Sequence, residues 1–259
     1  MVVVHCQQFD MRFLANRKLW LLAVVGLVPI SIVALRTRPA SPLSGLPPVI
    51  VWAWERPEKL DFINTEQVGV AFLAKTLRLN SDRVFNRPRL QPLEVPPGTK
   101  LIAVVRIESD HPTFSDNQLR QAVTQITDLS ALPNISAVQI DFDATVSQRG
   151  FYTDLLNRVR RQLPSSTALS ITALASWCSG DHWLSDLPID EAVPMLFRMG
   201  VDQKHFQSTP HFEPAICANS TGVALDEPIA APAVDRIYIF NPNPWSRESL
   251  NRALETYKR

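Results

Sequence analysis

The chain has 259 residues, a formal net charge of +1, 46% hydrophobic residues and 20% charged residues. This length is enough for one large domain or two small ones. The nearly balanced charge argues against a nucleic-acid-binding protein, which would need a basic stripe, so we expect no nucleic-acid partner.

The N-terminus has the pattern of a membrane-attached segment. A basic segment, residues 1–18, precedes an apolar run at 19–35 that contains no charged residue. As a helix this run would be about 26 Å long, just enough to cross the hydrocarbon core of a bilayer. It is longer than the usual ~7–15-residue core of a signal peptide, and no clear small-x-small cleavage site follows it. An uncleaved anchor is therefore favoured over a cleaved signal, with the true start at Met1 or Met11.

Residues 36–48 are rich in Pro and Ser and predict an extended linker between the membrane and a globular domain at 49–259. Three basic residues precede the apolar run and two follow it, which narrowly favours a cytoplasmic N-terminus. We therefore expect an inner-membrane protein whose globular domain lies in the periplasm or outside the cell.

Strand and helix patterns alternate through the globular part. Apolar segments predict strands at 49–55, 68–73, 101–108, 136–144, 168–173, 191–197 and 235–240. Helical spacing predicts helices at 57–64, 116–129, 147–163 and 246–257. Residues 75–97 are irregular and suit a small hairpin on a rim. A further strand at 215–225 is one interpretation of the poorly patterned stretch between 200 and 232.

This alternation is typical of α/β proteins, in which helices cover parallel strands. Seven or eight strands in roughly 210 residues indicate a (β/α)8 barrel that is small for its class and irregular near strands six to eight. An open doubly wound sheet is the alternative. No Gly-rich phosphate loop follows the first strand, which weakens a nucleotide-binding version of that sheet.

The strand at 136–144 has one apolar and one acidic face, because strand side chains alternate. Helices cover the outside of a barrel, so Gln139, Asp141 and Asp143 are expected to point inward. An unpaired buried carboxylate costs several kcal/mol or shifts its pKa upward, so this face should meet water, a ligand or a cation. On the strand at 101–108, Arg106 and Glu108 are two residues apart, so their side chains lie on the same face. If this face also points inward, Arg106 lies beside Asp141 on a neighbouring strand.

The acidic face predicts a catalytic site. Crowded carboxylates repel, so one of them can hold a proton near neutral pH, and hydrolysis of a sugar bond needs two such unlike carboxyl groups. Asp143 is the leading catalytic residue, with Asp141 or Glu108 as its partner. The alternative is a structural ion pair between Asp141 and Arg106. The expected substrate-binding residues, at strand ends, are Trp54, Glu55, Arg106, Gln139, Trp177, Arg198, Asn241 and Trp245. For each tryptophan, a place in the core is the alternative to a flat sugar-binding face.

Metal and cofactor chemistry find little support. The histidines of the globular part lack the paired spacing of zinc ligands, and no Gly-x-Ser-x-Gly elbow or nucleophilic Cys–His signature is present. We therefore expect neither a metal nor a cofactor. The histidines concerned are His111, His182, His205 and His211.

Cys178 and Cys217 are the two cysteines of the globular part. Outside the cytoplasm an even number of cysteines favours a disulfide, which would tie the poorly patterned segment to the end of the fifth strand. Two buried free thiols are the alternative.

Five strings together carry a resemblance to a known family. They are Val51-Trp-Ala-Trp-Glu-Arg-Pro57, Val104-Val-Arg-Ile-Glu108, Val138-Gln-Ile-Asp-Phe-Asp-Ala144, Leu169-Ser-Ile-Thr-Ala-Leu-Ala-Ser-Trp-Cys178 and Asp190-Glu-Ala-Val-Pro-Met-Leu-Phe-Arg-Met-Gly200. This combination resembles the uncharacterised bacterial family catalogued as domain of unknown function 3142, over roughly residues 49–245. The resemblance implies no known activity.

A more distant likeness bears on function. Ile140-Asp-Phe-Asp143 is similar to the fourth-strand motif of chitinase-like barrels, Asp-Gly-x-Asp-x-Asp-x-Glu. The first acid of that motif falls on Val138 and its catalytic Glu falls on Thr145, so the proton donor of those enzymes is missing. The likeness implies a glycoside-hydrolase-like barrel that acts on an envelope or extracellular polysaccharide through another acid. The alternative is a non-catalytic carbohydrate-binding or envelope-assembly barrel.

Overall fold

The structure is a computed structural model and describes residues 41–200, 212–229 and 233–257. The strands are β1 (Val49–Ala53), β2 (Glu58–Lys59), β3 (Val68–Asn80), β4 (Arg83–Pro88), β5 (Leu93–Glu94), β6 (Leu101–Ser109), β7 (Ile135–Asp141), β8 (Ala168–Leu174), β9 (Glu191–Met195), β10 (Ser220–Ala224) and β11 (Arg236–Phe240). The α-helices are α1 (Asp116–Thr127), α2 (Arg149–Gln162) and α3 (Arg247–Thr256).

Eight parallel strands close into a barrel. Their order around it is β1, β3, β6, β7, β8, β9, β10 and β11, and β1 pairs in parallel with both β3 and β11. β4 lies outside the barrel, where it pairs antiparallel with the long strand β3. The predicted α/β barrel is therefore confirmed, and the open doubly wound sheet was the wrong alternative. The strand expected at 215–225 is β10, and the hairpin expected within 75–97 is made by the end of β3 with β4.

Helices brace the strands that carry the acidic residues. Helix α1 follows β6 and begins at Asp116, directly after the N-cap residue Ser115, which forms a capping box with Gln118. Helix α2 follows β7 and ends just before Pro164. The outward residues Val138 and Ile140 are buried against apolar residues of both helices. Alternation along β7 then turns Gln139 and Asp141 toward the barrel interior, as expected.

The helix predicted at 57–64 is wrong. Instead, β2 pairs with β5 in a short parallel ribbon. The Glu58 carboxylate is buried, where it accepts hydrogen bonds from Arg56 Nε at 2.6 Å and from the Trp245 amide at 2.9 Å. The tertiary partners, β5 and Trp245, hold the segment extended and override the local helix signal of Pro57.

The end of the predicted linker is folded rather than extended. Pro42–Gly45 form a 3-10 helix, and Leu46 is buried in the apolar cluster inside the barrel. The predicted anchor at 19–35 lies outside the described residues. Within the ranges that the structure describes, no helix is long and apolar enough to span a membrane.

A buried ionic network fills part of the barrel interior. The Glu191 carboxylate accepts hydrogen bonds from Arg236 Nη1 at 2.8 Å and from the Tyr238 hydroxyl at 2.6 Å. The Ser170 hydroxyl donates to the same carboxylate at 2.9 Å and accepts from Gln139 Nε2 at 3.0 Å. Glu191 is only 1% exposed, so its charge depends on these partners.

The Cys178–Cys217 disulfide is present in the structure and excludes two free thiols there. It joins the 3-10 helix that follows β8 to the 3-10 helix that precedes β10. The bond therefore ties the return to β10 to the end of β8, in a region where the described residues contain no α-helix.

Replacing Arg236 by Met should lower the free energy of unfolding by about 3–5 kcal/mol, because it leaves a buried carboxylate without its counter-charge. Urea unfolding at pH 7 measures this. The matched control is Lys59→Met, which breaks the exposed 3.5 Å pair with Asp61 and should cost at most ~1 kcal/mol. Equal losses in the two variants would show that the buried pair does not hold the barrel.

Removing the disulfide by the double change Cys178→Ala and Cys217→Ala should cost about 4 kcal/mol, given that it closes a chain segment of 39 residues. A reducing agent should destabilise the wild-type protein and leave the double variant unchanged. If the reductant has no effect on the wild type, the bond does not form in the protein.

Candidate active site

An open cleft of about 340 Å³ lies at the carboxyl ends of β6 and β7. This is the end of a parallel barrel where catalytic residues are normally found. All three predicted catalytic residues, Glu108, Asp141 and Asp143, line it. Its other lining residues are Arg78, Arg106, Ile107, Ser109, Asp110 and Phe142. We call this site the acidic cleft.

Strand register brings these side chains together. Arg106 of β6 lies opposite Asp141 of β7, and Glu108 lies two residues farther along the same face. β7 ends at Asp141, and the chain turns so that the Ala144 amide donates to the Phe142 carbonyl at 2.8 Å. Asp143 therefore stands exposed at the rim of the cleft while Asp141 is half-buried below it.

The environment of Asp141 favours its protonated form. Burial raises the pKa of the Asp141 carboxyl, and the negative charges of Asp143 and, to a smaller degree, Glu108 raise it further. A hydrogen bond of 2.8 Å from the Thr172 hydroxyl and the positive charge of Arg106 act in the opposite direction. The net effect on the pKa of Asp141 is upward, so the cleft pairs a carboxyl whose protonated form is favoured with an exposed carboxyl.

Glu108 is held by two arginines. Arg106 Nε lies 3.4 Å and Arg78 Nη2 lies 3.3 Å from its two carboxylate oxygens. The ion pair that the structure records for Arg106 is therefore with Glu108, within one strand. The described contacts do not include the alternative, a structural ion pair between Arg106 and Asp141. Asp141 instead accepts a hydrogen bond from the Thr172 hydroxyl.

The other predicted binding residues are spread around the barrel. Gln139 is 1% exposed and belongs to the network around Glu191. Trp54 keeps a partly exposed ring that packs edge-on against Trp52, with 5.0 Å between ring centroids. Glu55 forms an ion pair of 3.0 Å with Arg87 of the β3–β4 hairpin.

Two of the predicted tryptophans lie in the core. Trp177 is 4% exposed and packs edge-on against Trp183, with 5.0 Å between ring centroids. Trp245 is 5% exposed, and its indole Nε1 donates to the Trp52 carbonyl at 2.9 Å. Neither ring has a face open to a ligand, so the core alternative holds for both.

Arg198 and Asn241 lie apart from the acidic cleft. Arg198 has a positive φ of 54° and pairs with Asp226 at 3.3 Å and Glu227 at 3.7 Å. Asn241 is buried, and its Oδ1 accepts from the Asn243 amide at 3.1 Å. The Asn241 Nδ2 group has no hydrogen-bond partner among the described residues.

Arg78, Asp110 and Thr172 are among the residues of the site that were not predicted. Arg78 was missed because β3 continues to Asn80, well past the predicted end at residue 73. Asp110 continues the parity of Arg106 and Glu108, a signal that was available in the sequence. Thr172 has no sequence signal of its own, because its role comes from the pairing of β7 with β8.

In the ranges that the structure describes, no group of three or more His, Cys, Asp or Glu side chains is arranged to hold a metal ion. Two of the four histidines of the globular part, His205 and His211, lie outside those ranges.

Comparison with known proteins agrees with one of the two sequence likenesses. Residues 97–198 match the family described as Domain of unknown function (DUF3142). No curated protein and no solved structure matches the chain, so the likeness to chitinase-like barrels rests on its short motif alone. The resemblance predicted from the sequence is thus confirmed over residues 97–198, the segment that carries Glu108, Asp141 and Asp143.

Proposed function

We propose that the protein hydrolyses glycosidic bonds of an envelope or extracellular polysaccharide by carboxylate acid–base chemistry. The observation that supports this most directly is the pairing, in one open cleft, of half-buried Asp141 with exposed Asp143. Glycoside hydrolysis uses two carboxyl groups of unlike protonation, one to protonate the leaving oxygen and one to act on the sugar or on water.

The environments of the carboxyl groups suggest their roles. Asp141, whose pKa is raised by burial, holds the proton that passes to the glycosidic oxygen as the bond to the anomeric carbon breaks. Asp143 acts as the carboxylate that activates water or attacks the anomeric carbon. Glu108, held by Arg78 and Arg106, contributes a fixed negative charge near the positive charge that develops on the sugar ring.

The proposal includes a place in the cell. We infer that residues 19–35 anchor the chain in the inner membrane and that the barrel faces the periplasm or the exterior. The apolar run and its basic flanks support this orientation. The Cys178–Cys217 disulfide also supports it, because disulfides persist mainly in oxidising compartments.

A second candidate function is non-catalytic glycan binding on the same barrel. Two observations favour it. Thr145 stands where the chitinase-like motif has its catalytic Glu, and within the described chain no tryptophan lines the acidic cleft. Both functions predict that the protein binds a glycan, but only the first predicts that it cleaves the glycan.

Replacing Asp143 by Asn should abolish hydrolysis while leaving glycan affinity within about threefold, because the amide keeps the shape of the side chain and removes only its acid–base capacity. We expect a loss of about 10²–10⁴-fold in release of reducing ends from a polysaccharide panel. Isothermal titration calorimetry measures binding to the same glycans.

The control for this test is Asp186→Asn, an exposed aspartate outside the cleft, which should retain wild-type turnover. Binding without turnover in the wild-type protein itself would replace hydrolysis by the second candidate function. Unchanged turnover in Asp143→Asn would overturn the assignment of the site.

Replacing Asp141 by Asn should abolish turnover and yet stabilise the fold at neutral pH. In the native state the pKa of Asp141 is raised, so the native protein binds this proton more tightly than the unfolded chain does. The free energy of unfolding should therefore fall as the pH rises from about 4 through the raised pKa, and the variant should lack this component.

Urea unfolding from pH 3.5 to pH 8 tests this, with Asp186→Asn again as the control. A variant that is less stable than the wild type at pH 7, or a difference that does not depend on pH, would contradict the proposed role of Asp141 as a buried proton holder.

A further inference from the structure

A second cavity, of about 450 Å³, adjoins the acidic cleft beneath the β3–β4 hairpin. We call it the hairpin cavity; β3 supplies Thr76, Arg78 and Asn80, β4 supplies Phe85, Asn86 and Arg87, and β6 supplies Glu108. Arg78 and Glu108 line both cavities and form the wall between them. A chain-like ligand that crosses this wall would occupy both.

Strand register makes the floor of the two cavities continuous. Thr76 lies opposite Arg87 on β4 and opposite Arg106 on β6. Two residues farther along β3, Arg78 lies opposite Phe85 of β4 and Glu108 of β6 in the same way. Residues directly opposite each other share a face of the sheet, so two rows of side chains run from the hairpin to the acidic cleft. The first row is Arg87, Thr76, Arg106 and Asp141, and the second is Phe85, Arg78 and Glu108.

The hairpin cavity offers the groups that bind a sugar bearing a carboxylate. Phe85 is a large apolar side chain that is 53% exposed, an aromatic surface suited to the apolar face of a sugar ring. Arg78 Nη2 lies 3.3 Å from the Glu108 carboxylate, and Arg87 Nη2 lies 3.0 Å from the Glu55 carboxylate. A guanidinium has five N–H donors in a planar fork, so both arginines keep donors for a carboxylate.

One buried group in this cavity lacks a partner. Thr76 is 4% exposed, and its Oγ1 has no hydrogen-bond partner among the described residues. Buried hydroxyl groups nearly always have one, so an exception points to a group that the protein alone does not supply. A ligand oxygen that enters between Arg78 and Arg87 would provide that partner.

Charge differs between the two cavities. The acidic cleft contains Glu108, Asp110, Asp141 and Asp143 against two arginines. The hairpin cavity is lined by Arg78 and Arg87 against Glu108, and Glu55, outside the lining, pairs with Arg87, so the charges there are nearly balanced. A ligand that spans both should therefore place its negative group under the hairpin, away from the carboxylates that surround the bond to be cleaved.

We propose that the hairpin cavity is a subsite for a uronic-acid-type sugar, so that the polysaccharide bound by this protein is acidic. The inference deepens the proposed function and rests on it for turnover, whereas the predicted binding selectivity can be measured without turnover.

The test uses the full-length Asp143→Asn variant, so that bound probes are not consumed. The probes are the tetramers of galacturonic acid and of mannuronic acid, each beside its carboxyl-reduced neutral counterpart, with affinity measured by calorimetry. We expect at least one acidic tetramer to bind tenfold or more tightly than its neutral counterpart, and its affinity to fall as salt is raised.

Further changes in the same background locate the site. Phe85→Ala and Arg87→Ala should each weaken binding of the acidic tetramer at least tenfold. Thr76→Val keeps the shape of the side chain and removes only its unpartnered hydroxyl, so it should weaken binding severalfold while leaving the thermal midpoint unchanged or raised. The control is Arg83→Ala, on the same strand but outside the cavity lining, which should bind within twofold of its parent.

Three results would overturn the subsite: equal affinity for acidic and neutral tetramers, no binding of either acidic tetramer, or equal effects of Arg87→Ala and Arg83→Ala. Its failure is distinguishable from failure of the proposed function. Selective binding of an acidic tetramer without hydrolysis by the wild-type protein would support the subsite and refute the proposed hydrolase activity. If the protein hydrolyses neutral glycans and Arg87→Ala does not change the rate, the hydrolase activity is supported and the subsite is refuted.

Discussion

The structure depends on one buried charge, the carboxylate of Glu191 at the start of β9. A charge this far from water needs a counter-charge and further hydrogen bonds, and strands β8 and β11 supply them, while Gln139 of β7 donates to the Ser170 hydroxyl that bonds Glu191. Arg236 also donates to the carbonyl oxygens of Leu43 and Pro47, which attaches the segment before β1 to the same network. The amino-terminal end of the barrel is thereby fastened, and the polar groups left at the carboxyl ends of the strands are available to a ligand.

The acidic cleft lies where the barrel has its most regular support. β6 and β7, which carry Arg106, Glu108 and Asp141, are each followed by an α-helix that packs against their outer faces. Across the barrel mouth, Trp52, Trp54 and Phe240 form an aromatic group in place of acids. Rigid strands with packed outer faces hold side chains more accurately than loops do, which suits a site that depends on the spacing of carboxyl groups.

Much of this arrangement follows from local patterns. The two-residue alternation along β7 was enough to place Val138 and Ile140 on the outer face and Gln139 and Asp141 on the inner one, whereas Asp143 lies beyond the end of the strand. The same alternation along β6 put Arg106 beside Asp141. Other features depend on distant partners. The segment after Arg56 is extended because β2 pairs with β5 and because Glu58 accepts a hydrogen bond from the distant Trp245 amide. The long β3 continues past an irregularity between Leu73 and Lys75, where its predicted span ended. Tryptophans carry no local signal of their surroundings, so the burial of Trp177 and Trp245 required the fold itself.

The pairing of β1 with β11 has a consequence for how the chain is made. Val49 lies opposite Ile237, so the barrel closes between the beginning and the end of the domain. Such a distant contact carries a large loop-closure entropy and forms slowly, and it cannot form before the last strand has been synthesised. Until then the strands at both ends of the growing sheet expose unpaired backbone groups, which are prone to pair with other chains. The nascent chain is therefore exposed to such pairing until β11 has been synthesised.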